Sequence, residues 1–385
     1  MTESDRHLET QLVHAGEPLP RIAGAVEMPI FQSATFEYAG EGNYHDVRYL
    51  RINNTPTQQA LHAKLAALEK AQAALVTASG MAAISTTLLT VLSPGDHLLA
   101  QRCLYGGTHD LVTRELAQLG IACDFIDADR RDSWAAQLRP STRAIYVESM
   151  TNPLLEVADL AGVAHFARAH GLVSIIDNTF ATPVNYRPVE AGFDLVVHSA
   201  TKYLNGHSDI VAGAVAGTAE AIERIRHKAN HLGGCLDPHA AFLLKRGLKT
   251  LALRVRFQND STLQIARFLE EHAEVARVNY PGLTSHPRHE RARALFGGGF
   301  GGVLSFELKG PVGRADEFAR RVRIPTVAPS LGGVHTLLTR PATTSHAGLS
   351  REERLRLGIG DGLLRLSVGI EATEDLLDDF RQALR

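Results

Sequence analysis

Between about residue 57 and residue 250, short apolar runs alternate with stretches of helical spacing. AALVTA (Ala73 to Ala78), HLLAQ, CDFID, AIYVE, LVSIID and DLVVHS each read as a short buried strand. Between them lie stretches such as LAGVAHFARAHG (Leu160 to Gly171), whose apolar positions suit a helix ending at its glycine. This alternation predicts a mostly parallel sheet covered on both faces by helices. Such sheets bind ligands at the carboxyl ends of their strands, so the residues just after each strand are the candidates for chemistry.

The pattern differs on either side. Up to about residue 56 the chain is irregular and rich in turn formers (YLRINNTPT), which suits an arm across a neighbouring subunit or an ordinary surface loop. After about residue 255 a long helix, STLQIARFLEEHAEVARV, precedes PGLTSHPRHERARALF, and a glycine-rich turn leads into GGVLSFEL. The predicted division is an arm over 1–56, a large domain over 57–254 and a smaller α+β domain over 255–385.

Composition narrows the function classes. The 40 basic residues are balanced by 42 acidic ones without a clear basic block, which argues against a nucleic-acid partner. MTESDRHLET carries no apolar signal-peptide core, and no uninterrupted apolar segment approaches the length of a membrane span. Cys103, Cys123 and Cys235 form no CxxC pair. A cytoplasmic protein without membrane or nucleic-acid partners is the expectation.

Chemistry concentrates after the strands. LVSIID ends in Asp177, followed by Asn178 and Thr179. A carboxylate there is costly to desolvate unless a cation pairs with it, but a structural or metal-holding role fits as well. DLVVHS leads into Ser199, Ala200, Thr201 and Lys202. An isolated loop lysine is more often simply exposed. Asp177, about one strand–helix–strand unit upstream, changes that weighing, because both emerge at one sheet edge. A carboxylate facing a pyridine nitrogen, with a lysine at an aldehyde, is the pairing that pyridoxal phosphate requires. Upstream, TASGMAAIS places Gly80 and Met81 at a helix start, which suits a phosphate or a plain turn. Tyr105 in CLYGGTHD suits an aromatic laid over a flat cofactor, or ordinary packing.

Taken together, YLRINNTPT, TASGMAAI, LYGGT, ESMTNP, DNTF, HSATKYLNGHSD, PSLGGV and RLSVGIE resemble, in order, the Cys/Met metabolism (trans-sulfuration) family of pyridoxal-phosphate enzymes. That family includes cystathionine γ-synthase, the cystathionine lyases, methionine γ-lyase and the O-acylhomoserine sulfhydrylases. The resemblance implies an aspartate-aminotransferase-like (fold type I) large domain with a smaller C-terminal domain. It implies pyridoxal 5'-phosphate as cofactor, with Lys202 as Schiff-base lysine and proton shuttle. Asp177 would pair with the ring nitrogen, Tyr105 would stack on the ring and assist proton transfer, and Thr179 would also contact the cofactor. Gly80, Met81, Ser199 and Thr201 would bind the phosphate, with Tyr49 and Arg51 reaching it from an adjacent subunit. Asn152, Ser330 and Arg365 would hold the substrate carboxylate. A homo-oligomer follows, a tetramer built from dimers with shared sites, acting on a small amino-acid substrate.

Departures from the commonest family pattern bear on the far end of the substrate. Leu50 stands where many members carry serine, and NNTPT replaces GNPT. Gly107 stands where methionine γ-lyases typically carry cysteine, which weighs against that activity. His109 and Asp110 occupy the segment where cystathionine-handling members often place an arginine for the distal carboxylate, and a pocket lacking it would favour a substrate without a second amino-acid end. Pro329 stands where many members have glutamate, and His335 interrupts GGVES. The leading expectation is elimination or replacement at Cβ or Cγ of a sulfur-containing or O-acylated amino acid, of cystathionine γ-synthase or γ-lyase type. An O-acylhomoserine sulfhydrylase or methionine γ-lyase is the alternative. From other classes, a catalytically silent binding homologue stands against the retained Lys202, Asp177, Tyr105 and Arg365. A dinucleotide oxidoreductase would need the FGGGFGG spacing (Phe296 to Gly302) to open a helix rather than a strand. The 18 histidines include no HExxH, so no metal site is expected.

Overall fold

The computed structural model describes residues 6–385; the first five residues of the polar N-terminal stretch lie outside the described residues. Two sheets organise the molecule. The larger has seven strands: β1 (Ala73–Thr77), β2 (His97–Gln101), β3 (Ala122–Ile126), β4 (Thr142–Glu148), β5 (Val173–Asp177), β6 (Leu195–His198) and β7 (Gly213–Gly217). Their order is β1-β7-β6-β5-β4-β2-β3. Strands β6, β5, β4, β2 and β3 run parallel, and β7 lies antiparallel between β1 and β6.

The helices begin where the sequence supplies caps. Helix α1 (Pro56–Glu69) opens with proline in its first turn and a Thr55–Gln58 capping box. Helix α2 (Gly80–Val91) is capped by Ser79, whose Oγ accepts from the Ala82 N–H at 3.0 Å. Helix α3 (Leu160–Ala169) is capped by Asp159 and stops before Gly171, which takes a left-handed φ of 64°. Helices cover both faces, so the β4 side chains Ile145, Tyr146 and Val147 are wholly buried. Each contributes about 1.5–3 kcal/mol by leaving water.

Two sequence expectations change. Strand β7 was not expected, because GAVAG offers only small residues, without the bulky β-branched pattern of its neighbours. It fits because it is small: a Cβ on Gly217 would lie 2.7 Å from the Asp194 carbonyl. The helix expected over STLQIARFLEEHAEVARV ends early. Helix α4 (Leu251–Glu271) runs through position 254/255, its cap His272 turns extended, and Val275–Asn279 forms strand β8.

Strand β8 opens the smaller sheet, with β9 (Val303–Leu308), β10 (Thr326–Val327), β11 (Leu337–Thr339) and β12 (Leu364–Ser367), in the order β10-β11-β12-β9-β8. It is antiparallel except for the β10–β11 pair. The FGGGFGG turn joins a helix to β9, the reverse of a dinucleotide-binding turn. Among the described residues no helix is long and apolar enough to cross a membrane.

Candidate active site

A cavity of about 740 Å³ lies between the carboxyl ends of the parallel strands and the smaller sheet. Its lining includes Gly80, Met81, Tyr105, Asn152, Asp177, Thr179, Ser199, Thr201, Lys202, Ser330 and Arg365, so these residues predicted from widely separated motifs meet. Tyr49 and Arg51 do not line it. Arg51 donates instead to the Asn230 carbonyl at 2.8 Å and the Tyr44 hydroxyl at 2.7 Å, and its guanidinium lies over the Tyr49 ring.

Lys202 sits in the turn after β6, its backbone N–H bonded to the Ser199 carbonyl at 3.1 Å. Its Nζ donates to Ser330 Oγ at 2.7 Å. Burial, with the Arg365 charge adding to it, pushes the amine down to about 8. That favours a neutral, nucleophilic amine. Ser330 itself has a φ of 91°, a left-handed conformation that L side chains rarely adopt, costing about 1–3 kcal/mol. Arg365 helps hold it there, for Nη2 donates to the Ser330 carbonyl at 2.8 Å.

Arg365 occupies β12, between Thr339 and Ser305 in register, and is only 3% exposed. Nη1 donates to Asn152 Oδ1 at 3.0 Å, while Nε is buried without a partner. A buried guanidinium with an unspent N–H beside an open cavity is suited to an incoming carboxylate.

Asp177 ends β5. Its Oδ1 accepts from the N–H of Thr179 at 2.9 Å and from the Thr179 hydroxyl, whose oxygen in turn accepts from the Ser199 N–H at 2.8 Å. Thr179 therefore ties the ends of β5 and β6 together. Burial raises the Asp177 carboxyl, and the Thr179 donors work against that rise. Among the described residues no lysine or arginine pairs with it.

Glu148 is the residue that sequence reading missed. It ends β4 directly opposite Asp177 in register, lines the same cavity, and accepts the Tyr105 N–H on Oε1 at 2.6 Å. Burial and the nearby Asp177 charge push its carboxyl well above the usual range. The available signal was a carboxylate closing the apolar run AIYVE, the same signal that marked Asp177.

At the other end, a Cβ on Gly80 would lie 2.8 Å from the Ser199 Cβ. Only glycine permits that approach, and it brings the Ser199 hydroxyl against the free N–H groups of the α2 start. Thr201 is less free, since its hydroxyl donates to the Ala212 carbonyl at 3.1 Å and accepts the Ala212 N–H at 2.9 Å. Tyr105 is 44% exposed. A Cβ on Gly107 would lie 2.7 Å from the Tyr105 ring, so the glycine leaves room for that ring.

These features fit one group. A helix start cradled by Gly80 and Ser199 suits a phosphate, an amine shifted toward neutrality suits an aldehyde, and a buried carboxylate without a cation suits a protonated ring nitrogen. Fold and cavity together define an enzyme of the pyridoxal-phosphate class.

Comparison with known proteins agrees. The family model for Cys/Met metabolism PLP-dependent enzymes matches residues 9–385. Cystathionine gamma-lyase of Bacillus subtilis is 43% identical, covering 98% of this chain and 98% of that one. L-methionine gamma-lyase of Pseudomonas putida is 42% identical over 98% and 96%, and cystathionine beta-lyase of Coxiella burnetii 41% over 98% of each. The crystal structure of cystathionine gamma-lyase from Lactobacillus plantarum complexed with L-serine matches with a TM-score of 0.93 at 39% identity, covering 98% of each chain. The chain belongs to the Cys/Met metabolism family of PLP-dependent enzymes, and its cofactor is pyridoxal phosphate.

Proposed function

We propose that the protein is a carbon–sulfur lyase of the cystathionine γ-lyase type, cleaving an amino acid whose sulfur side chain carries the leaving group. The observation that carries this reading is the chain of contacts from Lys202 Nζ to Ser330 Oγ, and from the Ser330 carbonyl to Arg365. It sets a proton-carrying amine beside a carboxylate clamp in one cavity.

Pyridoxal phosphate, when bound, supplies an electron sink conjugated to the substrate's α-carbon. The chain supplies the rest. Arg365, through Nε and its planar fork, holds the substrate carboxylate, with Asn152 fixing the guanidinium. That grip turns the substrate so that its α-proton faces Lys202. Lys202, pushed down to about 8, takes the proton near neutral pH and returns it elsewhere on the substrate. Ser330 Oγ keeps the amine aimed. Tyr105, whose backbone N–H is accepted by Glu148, would cover the cofactor ring. Asp177 would hold the ring nitrogen, and Gly80, Met81, Ser199 and Thr201 would hold the phosphate. Tyr49 and Arg51, away from the cavity of their own chain, serve the phosphate of a neighbouring protomer, which makes the working unit a dimer assembled further into a tetramer.

The cystathionine and methionine lyase relatives support C–S cleavage. A side chain in place of Gly107 would have to displace the Tyr105 ring, which weighs against a cysteine there and so against the methionine γ-lyase arrangement. A steady-state assay decides. Cystathionine alone is expected to give 2-oxobutyrate and cysteine. Pyruvate and homocysteine instead would move the reaction to Cβ. Product only from O-succinylhomoserine with cysteine, or from O-acetylhomoserine with sulfide, would overturn the lyase reading in favour of replacement.

A further inference from the structure

Outside the Lys202 cavity, a second one of about 400 Å³ opens beyond the carboxyl ends of β2 and β3. Arg102 and Cys103 enter it after β2, Asp127 and Asp129 after β3, and Glu156 from the segment before α3. None of its lining residues lines the Lys202 cavity. Its size falls within the range of small-molecule sites, about 300–1,000 Å³.

Some of its charges are spent and others are free. Arg288 Nε donates to Asp129 Oδ2 at 2.6 Å, and Arg291 pairs with the other oxygen. Arg356 donates to Glu352 at 2.7 Å. By contrast, neither the Arg102 guanidinium nor the Glu156 carboxylate makes a hydrogen bond or close ion pair among the described residues. The Asp127 carboxylate accepts the Asp129 N–H at 3.0 Å and pairs with no cation among them.

Partial burial, and then the Asp129 and Asp127 charges, raise the Glu156 carboxyl above its ordinary value, against Arg288 and Arg102. Acid outweighs base around Glu156, and an incoming cation would relieve it. Among the described residues no three metal-binding side chains converge. The cation that fits is one that donates hydrogen bonds, an ammonium. Arg102 offers its planar fork to a carboxylate, and Val157 and Leu357 add apolar surface to the lining. An ammonium, a carboxylate and an apolar chain on one small molecule make an α-amino acid.

The floor of this cavity backs onto the catalytic one. Gln101 lines it and accepts the Glu148 N–H on Oε1 at 2.9 Å. The Cys103 thiol donates to the Asn152 carbonyl at 3.9 Å. The Glu156 N–H donates to Thr151 Oγ1 and the Thr151 N–H to the Glu156 carbonyl, both at 3.1 Å. Glu156 thus closes the same short loop that carries Asn152, which fixes Arg365.

We infer that this cavity is a second amino-acid site, distinct from the catalytic one, which takes a free apolar α-amino acid as its zwitterion. Asp127 and Glu156 receive the α-ammonium, Arg102 the α-carboxylate, and Leu357 the side chain. The inference does not depend on which substrate the lyase cleaves.

The test uses holoenzyme whose cofactor has been fixed to its lysine by borohydride, so that no added amino acid can join the cofactor. Wild type, Glu156→Gln and Arg102→Gln, each checked for a cooperative melt, are titrated calorimetrically with L-leucine and L-methionine. 4-Methylpentanoate, which lacks the ammonium, and isopentylamine, which lacks the carboxylate, are titrated alongside. One amino acid is expected to bind per chain, about tenfold or more tighter than either analogue, with a similar loss of affinity in each variant. Binding of neither amino acid to wild type overturns the site. So does an affinity unchanged in both variants, which would place the ligand elsewhere, or an analogue that binds as tightly as leucine.

Discussion

The two sheets deliver their chemistry in different ways. In the large sheet the working groups stand at or just beyond strand ends: Glu148 on β4, Asp177 on β5, Ser199 and Lys202 after β6. In the small sheet Arg365 lies within β12, paired on both sides, and its side chain crosses to the cavity from the strand itself. The parallel sheet converges its strand ends on one edge, so topology alone gathers the groups that suit the cofactor. The antiparallel sheet has no such edge. Its arginine is useful because burial, Asn152 and the strained Ser330 fix it there. The groups that suit the cofactor and the arginine that suits a carboxylate thus stand on two different kinds of framework.

Four substitutions and conditions probe that division. Lys202→Ala, on the cofactor side, removes the proton carrier; turnover of cystathionine is expected to fall by about 10²–10⁴, read from steady-state kcat. A fall under tenfold would move the proton transfer to another group. Arg365→Lys keeps the charge but loses the fork. It is expected to raise KM about 30-fold or more while cofactor binding holds. Loss of cofactor affinity in this variant would show that the two frameworks are not separable.

Gly80→Ala sharpens the same contrast from the other side. Its new Cβ meets Ser199, so the phosphate cradle must open. Affinity of the apoprotein for pyridoxal phosphate, measured by fluorescence titration, is expected to weaken about tenfold, with little change in substrate KM once the enzyme is saturated. The smallest effect is that of pH on cofactor uptake. Lys202 is pushed below its ordinary value to about 8, so the reactive neutral amine is scarce below that pH and dominant above it. The rate at which apoprotein takes up pyridoxal phosphate is expected to rise about fivefold from pH 7 to pH 8 and level off beyond pH 9. A rate that kept climbing past pH 10 would mean an unshifted lysine.

The same asymmetry explains what the sequence disclosed. Asp177 was legible because a carboxylate closing an apolar run is a local signal, and Lys202 because the sheet rule sets it at the same edge as Asp177. Glu148 carries the same signal, but AIYVE is complete as a strand with its last residue included, which hides the carboxylate that closes it. Strand β7 escaped because GAVAG packs by being small, a property visible only against Asp194 and Leu195. Strand β8 was absorbed into the preceding helix because AEVARV continues its apolar spacing for one more turn. Arg365 had no local signal; RLSVGIE marked it only through resemblance to a family.

The central claim is that Lys202, and no other lysine, is the residue that joins the cofactor. Borohydride reduction of the cofactor-loaded protein, followed by peptide mass mapping, tests it directly. The account predicts a phosphopyridoxyl group on Lys202 in the peptide containing HSATKYLNGHSD. The group on any other lysine, or on none in a protein that still turns over substrate, would contradict it.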